Sequence, residues 1–465
     1  MDNRNSLSYE PQYVYDKLSQ DQKNEMEVLC AEYRKFLDLG KTERECVNES
    51  VKMAEKAGFV PFTSVDKLKA GDKVYMINRN KNILLCVIGT EDIENGISLV
   101  GSHVDSPRLD LKQRPLYESC SMSLLKTHYY GGIKKYQWTA IPLSLHGVMY
   151  TNEGNKVEFV IGEDDNDPVF CINDLLIHLA KDQMSKKATD VIEGEMLNIL
   201  MGGFTIGAED EKDRFKNNIL NILFEKYGVT ERDFISAEIE AVPAFKARNV
   251  GLDGAFIGAY GQDDRVCAFT SLKAILEIEN PKKTALCILV DKEEIGSCGN
   301  TGMLSNFFSY ALAQIAQKVT GDCDYIKLNK IIENSSCLSS DVCAAVDPTY
   351  ESVSEKLNST YAGFGMSLMK YTGGRGKYDS SDASAEYVYK IGKMFDDNNI
   401  IWQTGELGKV DQGGGGTIAQ YVANLNMDVI DCGVPVLSMH APFEVTAKTD
   451  IYMAYLSYKT FYKEN

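Results

Sequence analysis

Histidine is scarce in this chain. Its 465 residues include only five, His103, His128, His146, His178 and His440, so any imidazole chemistry must draw on that short set. Positive charge is also short: 49 Lys and Arg stand against 67 Asp and Glu, a formal charge of −18. So acidic a chain repels nucleic-acid phosphates and anionic membranes, which argues against both as general partners. The twelve cysteines never fall in a CxxC pair, so a zinc finger or a thioredoxin-type site is not expected. No apolar run approaches the roughly 18 residues of a membrane span. Met1 to Asp16 is polar and lacks the apolar stretch of a secretory leader. These absences predict a cytoplasmic protein with reduced thiols.

What is present is the composition of an ordinary globular protein, 44% hydrophobic and 25% charged. At roughly 100–200 residues per domain, the length allows two to four domains. Ser19 to Leu39 reads as an amphipathic helix stopped by Gly40. Thr42 and Glu45 form a capping-box pattern that opens a second helix, ending before Gly58. Ile83 to Ile88 and Ile97 to Val100 are buried-strand candidates, and the second leads into Gly-Ser-His103-Val-Asp105-Ser-Pro. From about Arg108 to Ala241 the texture is β-rich, with strands at Ile141 to Leu145 and Val157 to Ile161. A short helix is expected over Asn173 to Lys181, carrying His178, and a Gly-rich acidic loop over Gly202 to Asp213. After Pro243 an α/β rhythm resumes. A strongly apolar strand, Thr284 to Val290, runs into Asp-Lys-Glu293-Glu294, and a last strand over Val434 to Met439 ends at His440. The expected fold is therefore α/β, with a second domain at 107–240 inserted into a discontinuous first domain, 1–106 and 241–465.

His103, Asp263 or its neighbour Asp264, Glu293 with Glu294, Asp341 and His440 all fall just past apolar strand runs or in turns that open helices. Strand ends line one edge of a parallel sheet, so residues distant in sequence can converge there. Two imidazoles and several carboxylates form a mixed N/O donor set that suits Zn²⁺, Co²⁺ or Mn²⁺. The surplus of carboxylates suits two ions better than one, because a carboxylate can bridge them. Each piece also has an ordinary reading, such as a hydrogen-bonded His-x-Asp pair or a helix cap. The combination is what points to chemistry. Gly413 to Gly416 precedes a helical pattern and could cradle phosphate, but no Lys-Ser or Lys-Thr follows in Walker spacing.

The set resembles the aspartyl aminopeptidase family, which includes vacuolar aminopeptidase I. The matching stretches are Ser-His-Val-Asp-Ser-Pro-Arg-Leu-Asp-Leu-Lys from Ser102, Gly-Gln-Asp-Asp-Arg-Val-Cys from Gly261 and Asp-Lys-Glu-Glu-Ile-Gly-Ser from Asp291. Leu-Ser-Ser-Asp-Val from Leu338 and Met-His-Ala-Pro-Phe-Glu from Met439 complete them. The resemblance implies a zinc-exopeptidase-like catalytic domain, with a mixed central sheet flanked by helices and an inserted β-rich dimerisation domain. It implies a dinuclear-zinc aminopeptidase with Co²⁺ or Mn²⁺ as possible substitutes. His103 and Asp341 would hold one ion, Glu294 and His440 the other, and Asp263 would bridge them. Glu293 would be the general base and Asp105 would orient His103. Lys370 and Tyr378 would contact substrates, peptides with a free N-terminus beginning with an acidic or neutral residue. Family members form tetrahedral dodecamers built from dimers, in which a histidine matched here by His178 reaches a neighbouring subunit's site. A metal-dependent deacylase or carboxypeptidase on the same core is the competing reading.

Overall fold

The structure is a computed structural model that describes residues 7–465. Its packing divides the chain into two units. One comprises the described residues up to Asp105 together with Ala247–Met439 and Glu444–Asn465; the other comprises Ser106–Lys246 and His440–Phe443.

The first unit is built on a nine-stranded mixed sheet. Its strands in chain order are β1 (Val60–Pro61), β2 (Lys73–Asn78), β3 (Asn82–Val87), β4 (Ile97–His103), β5 (Thr284–Val290), β6 (Ser336–Ser340), β7 (Met366–Met369), β8 (Trp402–Thr404) and β9 (Asp428–Gly433). Across the sheet they lie in the order β1-β2-β3-β5-β4-β6-β9-β7-β8. The central strands β5, β4, β6 and β9 are mutually parallel. β4, β5 and β6 are buried along their whole length, and β5 is a near-continuous apolar run, because both faces are covered. Alternate residues separate into two cores. Leu85, Val100, Cys287 and Leu289 pack on one face with Phe269, Leu272 and Phe461. Leu84, Leu99, Leu286 and Ile288 pack on the other with Leu312 and Ile315.

The helices that frame the first of these cores or its edge include α1 (Gln20–Leu39), α2 (Glu43–Lys56), α3 (Gln262–Leu276) and α4 (Lys448–Glu464). The expected local signals account for the first two. Ser19 and Gln22 form a capping box at the start of α1 and Gly40 follows its last turn. Thr42 and Glu45 form the second box. α3 is buried along almost its whole length, as a helix between a sheet and further helices must be.

The second unit carries a seven-stranded antiparallel sheet. Its order is Lys156–Ile161, Leu143–Tyr150, Glu238–Pro243, Arg108–Ser119, Met122–Tyr130, Asn198–Gly202, Cys171–Ile172. The helix Arg214–Tyr227 belongs to the same unit and buries Ile219 and Leu223.

Two expected elements differ. The helix over Asn173 to Lys181 is instead a single 3-10 turn, Ile177–Leu179, followed by the one-turn helix Lys181–Met184. Leu176 is extended, and Leu175, Leu176, Ile177 and Leu179 are all exposed, so no apolar face is available to pack a helix. The last strand is divided. β9 ends at Gly433, and Pro435–Leu437 joins a separate five-stranded sheet. A Cβ at Gly433 would fall 1.7 Å from the Asp341 carbonyl oxygen, so the chain crosses another backbone there before changing sheets. Gly414–Gly415 pairs with Gly373–Gly374, and the helical pattern expected near Ile418 is present. The helix that follows has five residues, Ala419–Ala423.

Candidate metal centre

Sheet register accounts for the convergence. His103 is the last residue of β4 and pairs with Val290 at the end of β5. Gly101 pairs with Ser339 on β6, so continuing both parallel strands by two residues sets Asp341 level with His103. Glu293 and Glu294 follow β5 in a 3-10 turn entered through Lys292 in the left-handed region. Asp263 comes from the first turn of α3. Gly261 precedes it with φ 70°, and Asp263 and Asp264 have non-helical angles, which turn their side chains out of the helical ladder. The peptide between those two residues is cis.

His103 is 1% exposed. Its Nε2 lies 3.3 Å from Asp263 Oδ1, 3.6 Å from Asp341 Oδ1 and 3.9 Å from Glu293 Oε2. Its Nδ1 faces the other way, 3.0 Å from the Asp105 carbonyl oxygen and 3.3 Å from Asp105 Oδ1. The Asp105 carboxylate also accepts the backbone N–H groups of Glu293 and Glu294, each at 3.2 Å. One buried carboxylate thus ties the imidazole to the turn that carries both glutamates. Asp263 and Asp264 divide their tasks. Asp263 turns toward Nε2, whereas Asp264 accepts the backbone N–H of His103 at 3.2 Å. Asp263 and Glu294 also offer carboxylate oxygens within 4.8 Å of one another.

The electrostatics are those of excess negative charge out of water. Burial, then the charges of Asp341, Asp105 and Asp263 against an opposing His103, push the Glu293 carboxyl up to about 8. Burial raises Asp341, with hydrogen bonding and charge from His103 opposing it, and burial followed by the Asp341 charge raises Asp264 well above the carboxylate range. Burial alone would lower the His103 imidazole. Its hydrogen bonds to Asp105, Asp263 and Asp341 outweigh that and raise it well above its usual value. An imidazolium therefore supplies the positive charge that the carboxylates demand.

A zinc ion fits this donor set. Two ligands at about 2.0–2.1 Å and a tetrahedral angle are separated by about 3.3 Å, close to the Nε2–Oδ1 distances of 3.3 and 3.6 Å. A bound cation would replace the proton on Nε2, while Asp105 keeps Nδ1 in the orientation that metal-binding imidazoles require.

The remaining sequence candidates are Lys370, Tyr378, His440 and His178. Lys370 immediately follows β7 and its Nζ is 2.7 Å from Asp382 Oδ1. Tyr378 is 73% exposed. His440 belongs to the second unit, where its Nδ1 is 2.7 Å from the Gly132 carbonyl oxygen. It is not at the end of a central strand, because β9 stops at Gly433. His178 is also in the second unit, exposed in its 3-10 turn.

Two supporting residues were not assigned a role from the sequence. Glu444 is buried, and its Oε2 accepts the Asp263 backbone N–H at 3.0 Å. Gln262 donates to the Ile257 and Glu444 carbonyls and accepts from the Tyr33 and Thr446 hydroxyls. This network fixes the turn that presents Asp263. Glu444 closes the Met439 motif and Gln262 lies in the Gly261 motif, which were the available signals for them.

The comparisons with known proteins agree with this donor chemistry. A family model described as aminopeptidase I zinc metalloprotease (M18) matches residues 36–462. A probable M18 family aminopeptidase 1 from Clostridium acetobutylicum is 50% identical, over 98% of this chain and 99% of its own length. The crystal structure of an M18 aminopeptidase from Thermotoga maritima superposes with a TM-score of 0.95 at 45% identity, covering 98% of this chain and 100% of the other. At 20% identity, the S. cerevisiae mApe1 dodecamer structure shares the fold, with a TM-score of 0.75 over 95% of this chain and 97% of that one. A buried His/Asp/Glu cluster with zinc-compatible spacing, on a chain matched almost end to end, leads to one conclusion: this chain belongs to the aminopeptidase I (M18) family and is a zinc-dependent aminopeptidase.

Proposed function

We propose that the chain removes the N-terminal residue of peptides at a two-zinc centre, with His103 and Asp341 on one ion, Glu294 and His440 on the other and Asp263 between them. The observation that carries this reading is the His103 Nε2 atom, which faces three carboxylates within 3.9 Å while Asp105 holds the opposite nitrogen. The proximity of Asp263 to Glu294 supports the bridging role. When bound there, zinc would supply the Lewis acidity that polarises a peptide carbonyl and acidifies water. Glu293 takes a proton from the attacking water and returns it to the amine as the carbon–nitrogen bond breaks. Burial raises its proton affinity toward the neutral range in which a general base works best.

Lys370 and Tyr378 are proposed substrate contacts, and His178 a contribution from a neighbouring subunit. The yeast relative described as a dodecamer supports assembly into a closed homo-oligomer, and a tetrahedral arrangement of dimers follows the same resemblance. Twelve free cysteines support a cytoplasmic location. Co²⁺ or Mn²⁺ should substitute for zinc, since the donors are imidazole and carboxylate.

The test is a comparison of free-amine and N-acetylated peptides, with the protein stripped and then reloaded with defined metals. Release of the first residue from free-amine peptides alone, lost on chelation and restored by Zn²⁺, Co²⁺ or Mn²⁺, is the expected result. Cleavage of acetylated peptides or from the C-terminus would transfer the reading to a deacylase or carboxypeptidase.

A further inference from the structure

Two of the three basic side chains in the loop after β7, Lys370 and Lys377, are paired within it, and Arg375 is exposed. Lys370 Nζ meets Asp382 Oδ1 at 2.7 Å, and Lys377 Nζ meets Asp382 Oδ2 at 2.9 Å, so one carboxylate is shared by two lysines. Lys377 Nζ also stands 3.8 Å over the Tyr371 ring, and the Tyr371 hydroxyl donates to Glu406. The two lysines thus face the carboxylate of Asp382, and Tyr371 ties the loop to Glu406. The backbone closes the loop on itself through Ala383 N–H to the Lys370 carbonyl, and Ser380 Oγ accepts from Thr372 N–H.

The loop starts near the metal centre. Met369 pairs with Asp431 on β9, and Asp431 with Ser339 on β6, two residues before Asp341. Two strand spacings separate Met369 from Ser339 by about 10 Å.

We propose that Asp382 is a specificity-determining residue that occupies Lys370 and Lys377, so that this aminopeptidase prefers peptides beginning with an uncharged residue over those beginning with Asp or Glu. The inference rests on the reading of Lys370 as a substrate contact. An acidic first side chain must either displace Asp382 or meet lysines that are already neutralised. An uncharged one meets no such competition. Asp382 acts as a built-in mimic of the acidic side chain.

The test measures kcat/KM for leucyl and glutamyl p-nitroanilides with the zinc-loaded wild type, Asp382→Asn, Asp382→Ala, Lys370→Ala and the Lys370→Ala/Asp382→Asn double variant. Zinc content and melting temperature establish folding. The wild type should favour leucine by about tenfold or more. Both Asp382 variants should raise the glutamyl-to-leucyl ratio by about fivefold or more, the strength of one partly exposed ion pair, and the double variant should cancel that gain. A wild type that prefers glutamate, or Asp382 variants that leave the ratio fixed while Lys370→Ala shifts it, overturns the role of Asp382. If Lys370→Ala alters neither substrate, Lys370 is no substrate contact, and both that reading and this inference fall.

Discussion

Glu293 and Asp105 are both carboxylates beside His103, but they touch different atoms. Glu293 faces Nε2 at 3.9 Å, and Asp105 sits behind Nδ1 and under the glutamate turn. Glu293→Gln should therefore keep its zinc, measured by metal analysis, and lose about 10²–10⁴-fold in turnover, because the amide cannot accept a proton. Loss of metal instead would exchange the roles of Glu293 and Glu294. Asp105→Asn should weaken zinc binding and activity by about 10–100-fold in chelator competition, since it turns an amide NH₂ toward a backbone N–H or the imidazole. The pH behaviour has a definite sign. Glu293 and Asp341 are raised in the metal-free fold, so the unfolded chain gives up these protons first as pH rises. Metal-free stability should fall between about pH 4.5 and 8. Zinc should protect most at the upper end, where carboxylates need release no proton. Thermal unfolding with and without chelator across that range checks both statements. His103, Asp263, Glu293 and Asp341 were legible because each follows a strand or opens a helix. The roles of Gln262 and Asp382 were not, because they depend on partners distant in sequence or on a loop's closure.

At the scale of elements, buried apolar runs and caps carried most of the sequence signal. Thr284 to Val290 was expected and found as a strand, and the expected Thr42–Glu45 capping box is formed. The misread segments had no periodic face to bury, as with Leu175 to Leu179, or crossed between sheets, as at Gly433. α3 ties the centre to the core, since Asp263 opens it and Leu272 is fully buried against the sheet. Leu272→Ala should cost about 2–5 kcal/mol in denaturant unfolding. A loss below about 1 kcal/mol would show that the surroundings collapse into the space, so the fixed framework argued for Asp263 would not hold.

At the scale of the whole molecule, the sequence carried the zinc aminopeptidase family through five separated motifs, whereas assembly was legible only through the resemblance. The exposed run Leu175, Leu176, Ile177 and Leu179 around His178 suits an interface between copies. If His178 completes a neighbour's site, His178→Ala and Glu293→Gln chains, each nearly inactive, should regain activity when dissociated and mixed, read by peptide turnover. No recovery in demonstrated mixed oligomers would remove His178 from the reaction. The central claim, two ions bridged by Asp263, is tested most directly by anomalous scattering at the zinc edge from crystals of the loaded enzyme. The account predicts two peaks about 3.5–4 Å apart, one bonded by His103 and Asp341, the other by Glu294 and His440, both touching Asp263. A single peak at full occupancy, or two peaks neither of which touches Asp263, would contradict it.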